Sequence, residues 1–356
     1  MSIKQLIINP GSTSTKLAVY EDETRLFQET IEHSAEDLAQ FETLPEQAPY
    51  RQEMVKAFLK EHGMVVSELD CIMGRGGLVW GIGTGGWILD ENLVSALRDE
   101  ERCSPHASLL GGLIAYELAK DADLPAFIYD PVTGASLPEV AKTTGFPEVK
   151  KESCYHVLNS RAMAIRYAKE NDFAYNDENM IVVHMGGGIS LGAHDHGQII
   201  DSIGDDEGPM SPERAGGAPI LEILKLCYGG KYTYADMKKK CRGKGGMAAY
   251  FGTTDARKVE SMADGGDEKA KLIYDTIAYQ VAKGIGQMAV ALKGEVKVII
   301  LTGGLAYSKM LTSAITEYVG FIAPVAVMPG ENEMDALALG GLRILRGEES
   351  AQSFSG

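Results

Sequence analysis

Thirteen residues near the start of the chain, Leu6-Ile-Ile-Asn-Pro-Gly-Ser-Thr-Ser-Thr-Lys-Leu-Ala18, return in altered form 175 positions later as Ile181-Val-Val-His-Met-Gly-Gly-Gly-Ile-Ser-Leu-Gly-Ala193. At that offset Asn9 falls on His184, Gly11 on Gly186, Thr15 on Ser190 and Ala18 on Ala193. Each copy reads as an apolar strand, a turn of small residues and a second strand. A repeat at half-chain spacing restricts the fold to two like halves, each opening on a hairpin. Small residues let backbone N–H groups come close to an anion, and Ser or Thr hydroxyls add donors without bulk. Asn9, Gly11, Ser12, Ser14 and Lys16 in the first copy, with His184, Gly186, Gly187 and Gly188 in the second, are therefore the candidate phosphate grips. Taken alone, Gly186-Gly187-Gly188 reads equally well as a structural turn; the repeat favours the grip. Neither copy is a Walker loop, and a dinucleotide fingerprint would run into a helix where Lys16–Tyr20 reads as strand.

With 356 residues and 45% hydrophobic content, the chain can build two domains with proper cores. Its net charge of -16 disfavours nucleic acid and anionic membranes as partners, so any bound phosphate needs local positive groups. Five cysteines without a C-x-x-C pair argue against zinc and for reduced, buried thiols in the cytoplasm. No secretory leader or membrane span is expected, because no apolar run approaches ~18 residues.

Strands are expected at 5–9, 16–19 and 24–31 as a meander, then at 69–73, running into Arg75-Gly-Gly77. Helices follow at 51–62, 90–97 and 108–118, and the strand 126–130 delivers Asp130 at its end, where α/β folds often face ligand. The second half repeats the theme, with strands at 180–183, 189–193 and 198–203, a long helix at 267–293 and a strand at 296–301 ending on Thr302-Gly-Gly304. A strand at 325–328 and a closing helix at 334–346 complete it, and a disordered tail is expected from Gly347. His194 and His196 read as hairpin-tip residues, and Lys238-Lys-Lys240 as the solvated face of a helix.

Together these segments resemble the acetate and butyrate kinase family, its butyrate branch most of all, along nearly the whole chain. Asn9-Pro-Gly-Ser-Thr-Ser-Thr-Lys16 is similar to the family's first phosphate motif, Val183-His-Met-Gly-Gly-Gly-Ile-Ser190 to its second, and Leu301-Thr-Gly-Gly-Leu305 to its adenosine motif. The resemblance implies an α/β fold of two duplicated ribonuclease-H-like domains with an ATP cleft between them, as in actin, the chaperone ATPases and sugar kinases. It divides the chain into residues 1–130, to which a C-terminal segment 336–356 returns, and residues 131–335. It also implies at least a homodimer.

By local match, the resemblance assigns catalytic roles to Asp130, His156, Arg214 and Arg75, and nucleotide contacts to Thr302, Gly303 and Gly304. Gly74, Arg75, His106 and Tyr155 become substrate contacts, Gly74 because it replaces a pocket-lining valine and would make room for a longer acyl tail. Glu333, with Asp130, takes the magnesium-linked place, and Glu331 is the alternative. Acetate kinases place an arginine where Ile72 stands here, so Arg75 fills that role from the adjacent turn.

The chemistry suits these residue types. A carboxylate is already ionised at neutral pH and needs no base, so the obstacle to its attack on ATP is charge repulsion, which arginines and a donating histidine relieve. The expected activity is reversible phosphoryl transfer from Mg2+-ATP to butyrate, giving butyryl phosphate and ADP. Acetate or propionate kinase is the runner-up. A non-catalytic ATPase switch like actin or a chaperone has no evident use for the cationic set, and a sugar kinase would use Asp130 as base toward a hydroxyl.

Overall fold

In the computed structural model, which describes residues 2–204 and 206–355, the chain forms two compact units, Met1–Gly134 with Asn332–Gly356, and Ala135–Glu331. The strands of the first are β1 (Lys4–Pro10), β2 (Ser14–Glu21), β3 (Thr24–Glu32), β4 (Cys71–Arg75), β5 (Leu78–Val79), β6 (Gly86–Ile88), β7 (Cys103–Ser104) and β8 (Ala126–Tyr129). Those of the second are β9 (Met180–Met185), β10 (Ile189–Asp195), β11 (Gln198–Ile203), β12 (Val298–Gly303) and β13 (Val325–Pro329). The sheets run β3-β2-β1-β4-β8-β6 and β11-β10-β9-β12-β13, so the duplication is real: an antiparallel meander followed by parallel strands, twice.

Each central strand is apolar without alternation because helices cover both of its faces. In the first unit, Gly74 of β4 abuts the helix Leu109–Ala122 while its neighbour Met73 abuts the helix Glu333–Leu345 on the opposite face. In the second, Ile181 and Val183 pack into the cluster built on the helix Glu268–Ala291, whereas Met180 and Val182 pack against Val157–Glu170. Ile277, Val281 and Ile285 of the long helix are fully buried, each stabilising by about 1.5–3 kcal/mol. Asp267 caps its start, accepting from Ala270 N at 3.0 Å.

Three expectations change. The segment after Gly347 is ordered: Gln352 exchanges backbone hydrogen bonds with Gly86 and Ile88, and Phe354 lies edge-on against Trp87 with its ring buried. His194 is not at a hairpin tip but wholly buried, its ring nitrogens 3.1 Å from Tyr155 Oη and 2.7 Å from Tyr175 Oη. His196 does sit at the tip, with a left-handed φ of 45°. Cys71 and Cys103 are buried, but Cys227 and Cys241 are exposed. The 238–240 lysines lie on the helix Tyr234–Cys241, of which only Met237 is buried.

Candidate functional site

The two turns differ more than their sequences suggest. In the first hairpin the last strand pair is Pro10 with Thr15, leaving Gly11–Ser14 in the turn; in the second it is Met185 with Ile189, leaving only Gly186–Gly188. The 175-residue offset therefore slips by one within the turn. By pairing, Ser190 lies opposite His184 as Lys16 lies opposite Asn9, so Ser190 corresponds to Lys16 and not to Thr15.

In the first unit Ser12 and Lys16 are exposed on or beside the turn. Asn9 Nδ2 donates to Glu333 Oε2 at 2.8 Å, and Arg75 Nη2 lies 3.2 Å from Glu333 Oε1. Arg75 is 7% exposed, and its buried Nη1 has no hydrogen-bond partner among the described residues. A buried cationic donor left in that condition is costly. Asp130 directly follows β8 in the left-handed region at φ 45°, accepting from Gly85 N at 2.7 Å while its own N–H donates to Gly85 O. That two-bond clasp fixes its carboxyl group.

In the second unit the imidazoles of His156 and His184 stack, centroids 3.9 Å apart and planes 12° apart. Asn159 Nδ2 donates to His184 Nδ1 at 2.9 Å, which puts the ring proton on Nε2, 3.3 Å from Glu331 Oε1. Ser190 Oγ accepts from His156 N and lies 2.7 Å from its Nδ1; donation there favours the tautomer with its proton on Nε2. Arg214 lies on a loop tied to the glycine turn, since Ser211 Oγ and Glu213 N both donate to Gly187 O, and its Nη1 pairs with Glu213 at 2.8 Å. Thr302 is fully buried and donates to Gly330 O at 3.3 Å, holding the turn that Gly303 and Gly304 enter.

Gly186, Gly187, Gly304 and Glu331 line one cleft of about 770 Å³ in the second unit, a size that suits a nucleotide. Thr254, Asp255, Arg257, Glu260 and Ser308 line it as well, and sequence reasoning missed all five. Asp255 and Ser308 cap the helices Ala256–Asp264 and Lys309–Val319 there, so a capping residue before each helical pattern was the available clue.

Two expected substrate contacts fail. A Cβ on Gly74 would stand 2.3 Å from Gly111 O, so the missing side chain admits a helix backbone and leaves no space for an acyl tail. Tyr155 is fully buried, bonded to His194 and Val182 O, and its ring fills the space over Gly192. His106 is exposed just before the helix Leu109–Ala122, where its Nδ1 accepts from Ser108 N and lies 2.8 Å from Ser108 Oγ, which orients the ring.

The sequence is 46% identical over 351 residues to "Butyrate kinase 1" of Clostridium acetobutylicum, a match spanning 98% of this chain and 99% of that one. This chain belongs to the acetokinase family. Residues 155–322 match that family by its own description, Acetokinase family. The "Probable butyrate kinase 2" of Caldanaerobacter subterraneus subsp. tengcongensis is likewise 46% identical, over 352 residues and 99% of both chains. Among solved structures, the acetate kinase of Porphyromonas gingivalis superposes with a TM-score of 0.78 at 17% identity, covering 96% of this chain and 100% of that one. The fold is thus the doubled architecture of the acetate kinases, as the sequence led one to expect. Membership of this family makes the chain a nucleotide-dependent kinase. Among the described residues no helix is long and apolar enough to cross a membrane.

Proposed function

We propose that the chain is a butyrate kinase, transferring the γ-phosphoryl group of ATP reversibly to the carboxylate of butyrate. The observation that carries this reading is full-length identity of 46% to proteins named for that activity. The orphaned Nη1 of buried Arg75 supports its role as the clamp for the substrate carboxylate. His156 and Arg214 donate to the moving phosphoryl group, where charge spreads over the equatorial oxygens. No side chain acts as base, since the carboxylate is ionised at neutral pH. The nucleotide lies in the cleft past Gly186, Gly187 and Gly304 of the second unit, and in the first unit the turn Gly11–Ser14 with Lys16 is a phosphate grip.

Magnesium fits this set as an ion brought in on the phosphates. Glu333 and Asp130 offer hard carboxylate oxygens, and no group of three metal-ligating side chains among the described residues could hold a cation alone. When bound, it would neutralise phosphate charge, and Glu333 and Asp130 would hold it, with Glu331 the alternative to Glu333. The helix Ile220–Tyr228, rich in Leu and Ile yet without one buried residue, supports a homo-oligomer, and a cytoplasmic location belongs to the same proposal, since butyrate and ATP are soluble metabolites.

A series of acids from acetate to valerate, with acyl phosphate trapped as hydroxamate, tests the reading. We expect kcat/KM to peak at butyrate, with neighbours following within ~10- to 200-fold per methylene. A peak at acetate or propionate would move the assignment within the family; absence of product from every acid would remove it.

A further inference from the structure

Arg51 is a completely buried side chain, and it stands directly behind the first turn. It rises from the helix Gln47–Glu61, and its four Nη hydrogens are shared among five acceptors. Nη1 reaches Gly11 O at 2.9 Å, Ser14 O at 3.1 Å and Thr15 Oγ1 at 3.1 Å. Nη2 reaches Ser12 O at 3.1 Å and Gln47 Oε1 at 2.8 Å. Four of the five residues from Gly11 to Thr15 are thus held by one guanidinium. Every one of these partners is a neutral oxygen, and Nε has no partner among the described residues. Burial pulls the group below the ordinary arginine pKa, though a guanidinium stays charged.

An unpaired charge is a costly way to tie a turn, because neutral amides could satisfy the same carbonyls. Its use becomes clear from peptide geometry. In a planar trans peptide C=O and N–H point in opposite directions, so carbonyls of Gly11 and Ser12 turned onto Arg51 aim the N–H groups of Ser12 and Thr13 away from it. Both of those residues are exposed. The turn therefore shows donors outward with a positive charge behind them, in a chain whose net charge is -16.

We propose that Arg51 is a positioning residue for the nucleotide phosphates, shaping the turn Gly11–Ser14 and supplying the field that lets it hold an anion. This deepens the function proposed above and rests on that turn being a phosphate grip.

Three variants separate the two ideas. Gln47→Glu keeps the acceptor for Nη2 but adds a carboxylate that cancels the charge, and its thermal midpoint should equal or exceed that of the parent. Its KM for ATP should rise about fivefold or more, while KM for butyrate and the affinity for adenosine, which lacks phosphate, stay within about twofold. Arg51→Lys keeps charge but loses the fork and should show the same selective rise. Ser12→Glu places a negative charge on the exposed turn and reports on the grip itself. If Ser12→Glu weakens ATP binding while folded Gln47→Glu and Arg51→Lys leave it unchanged, the role of Arg51 is overturned and the grip stands. Equal weakening of ATP and adenosine would reduce Arg51 to a structural tie, and an unaffected Ser12→Glu would remove the grip and this inference with it.

Discussion

The turn Gly11–Ser14 and the turn Gly186–Gly188 occupy the same place in the same strand order, yet they are built by opposite means. The first is hydroxyl-rich and held from behind by a buried cation; the second is all glycine, held by Ser211 and Glu213 beside a pair of stacked imidazoles. A duplicated fold keeps what its sheet requires, an apolar central strand and a tight return. Whatever projects beyond the turn is free to diverge. Here that freedom assigns hydroxyl donors over a buried charge to one half, and close backbone approach with imidazole donors to the other.

The largest expected effect tests how tightly the first half is packed. Gly74→Val drives a side chain into the backbone of Gly111 and should cost more than about 4 kcal/mol, read as loss of the folded state in a thermal melt. A stable variant with altered acid preference would restore the pocket that the packing excludes. Next comes the second half's polar set. Arg214→Ala should lower kcat by ~10² or more with ATP affinity nearly intact, because the lost contact belongs to the transition state. Near-normal kcat would remove Arg214 from the reaction and leave the second turn with histidines alone.

A third effect concerns the wall behind the second hairpin. Burial depresses the pKa of His194 from 6.5 to about 3. The unfolded chain then takes up a proton as pH falls below 6.5 and the folded one does not, so stability declines from that point down to about pH 3. Each pH unit in the window costs about 1.4 kcal/mol for this group, and none is lost above it. Urea unfolding at pH 7, 5 and 4 should show a shallower decline in His194→Gln than in the parent; equal slopes would contradict the buried neutral ring. Smallest is Tyr155→Phe, which deletes one buried hydroxyl and should cost about 1 kcal/mol with KM for butyrate unchanged. A rise in that KM would return Tyr155 to the substrate.

Much of the fold was legible, since the repeat and two apolar periods carried both sheets and most strand positions. Misreadings arose where the deciding partner lies far along the chain. Nothing near Gly74 announces Gly111, although the pair Gly111-Gly112 inside an apolar helix invited a search for a close neighbour. Tyr155 was expected at the substrate and His194 at a hairpin tip, but together with Tyr175 they satisfy one another and so can be buried. The tail looked like a disordered end because its contacts, Gln352 with Gly86 and Ile88 and Phe354 on Trp87, span most of the chain. Arg51 escaped notice for the same reason: its partners on the first turn lie up to 40 residues earlier in the chain.

The claim that both turns hold phosphate is tested most directly at the one with no side chains to lose. Gly187 has φ of ordinary sign, and a Cβ there would meet only the side chain of Glu213, whose Oε1, at 2.8 Å, can shift together with its Arg214 partner, so Gly187→Ala should fold like the parent while its methyl group stands where a phosphate approaches. Isothermal titration of ATP into the folded variant should give affinity weaker by about tenfold or more. Affinity equal to the parent's would mean that the glycine turn is structural, and that the repeat carries a fold and not a grip.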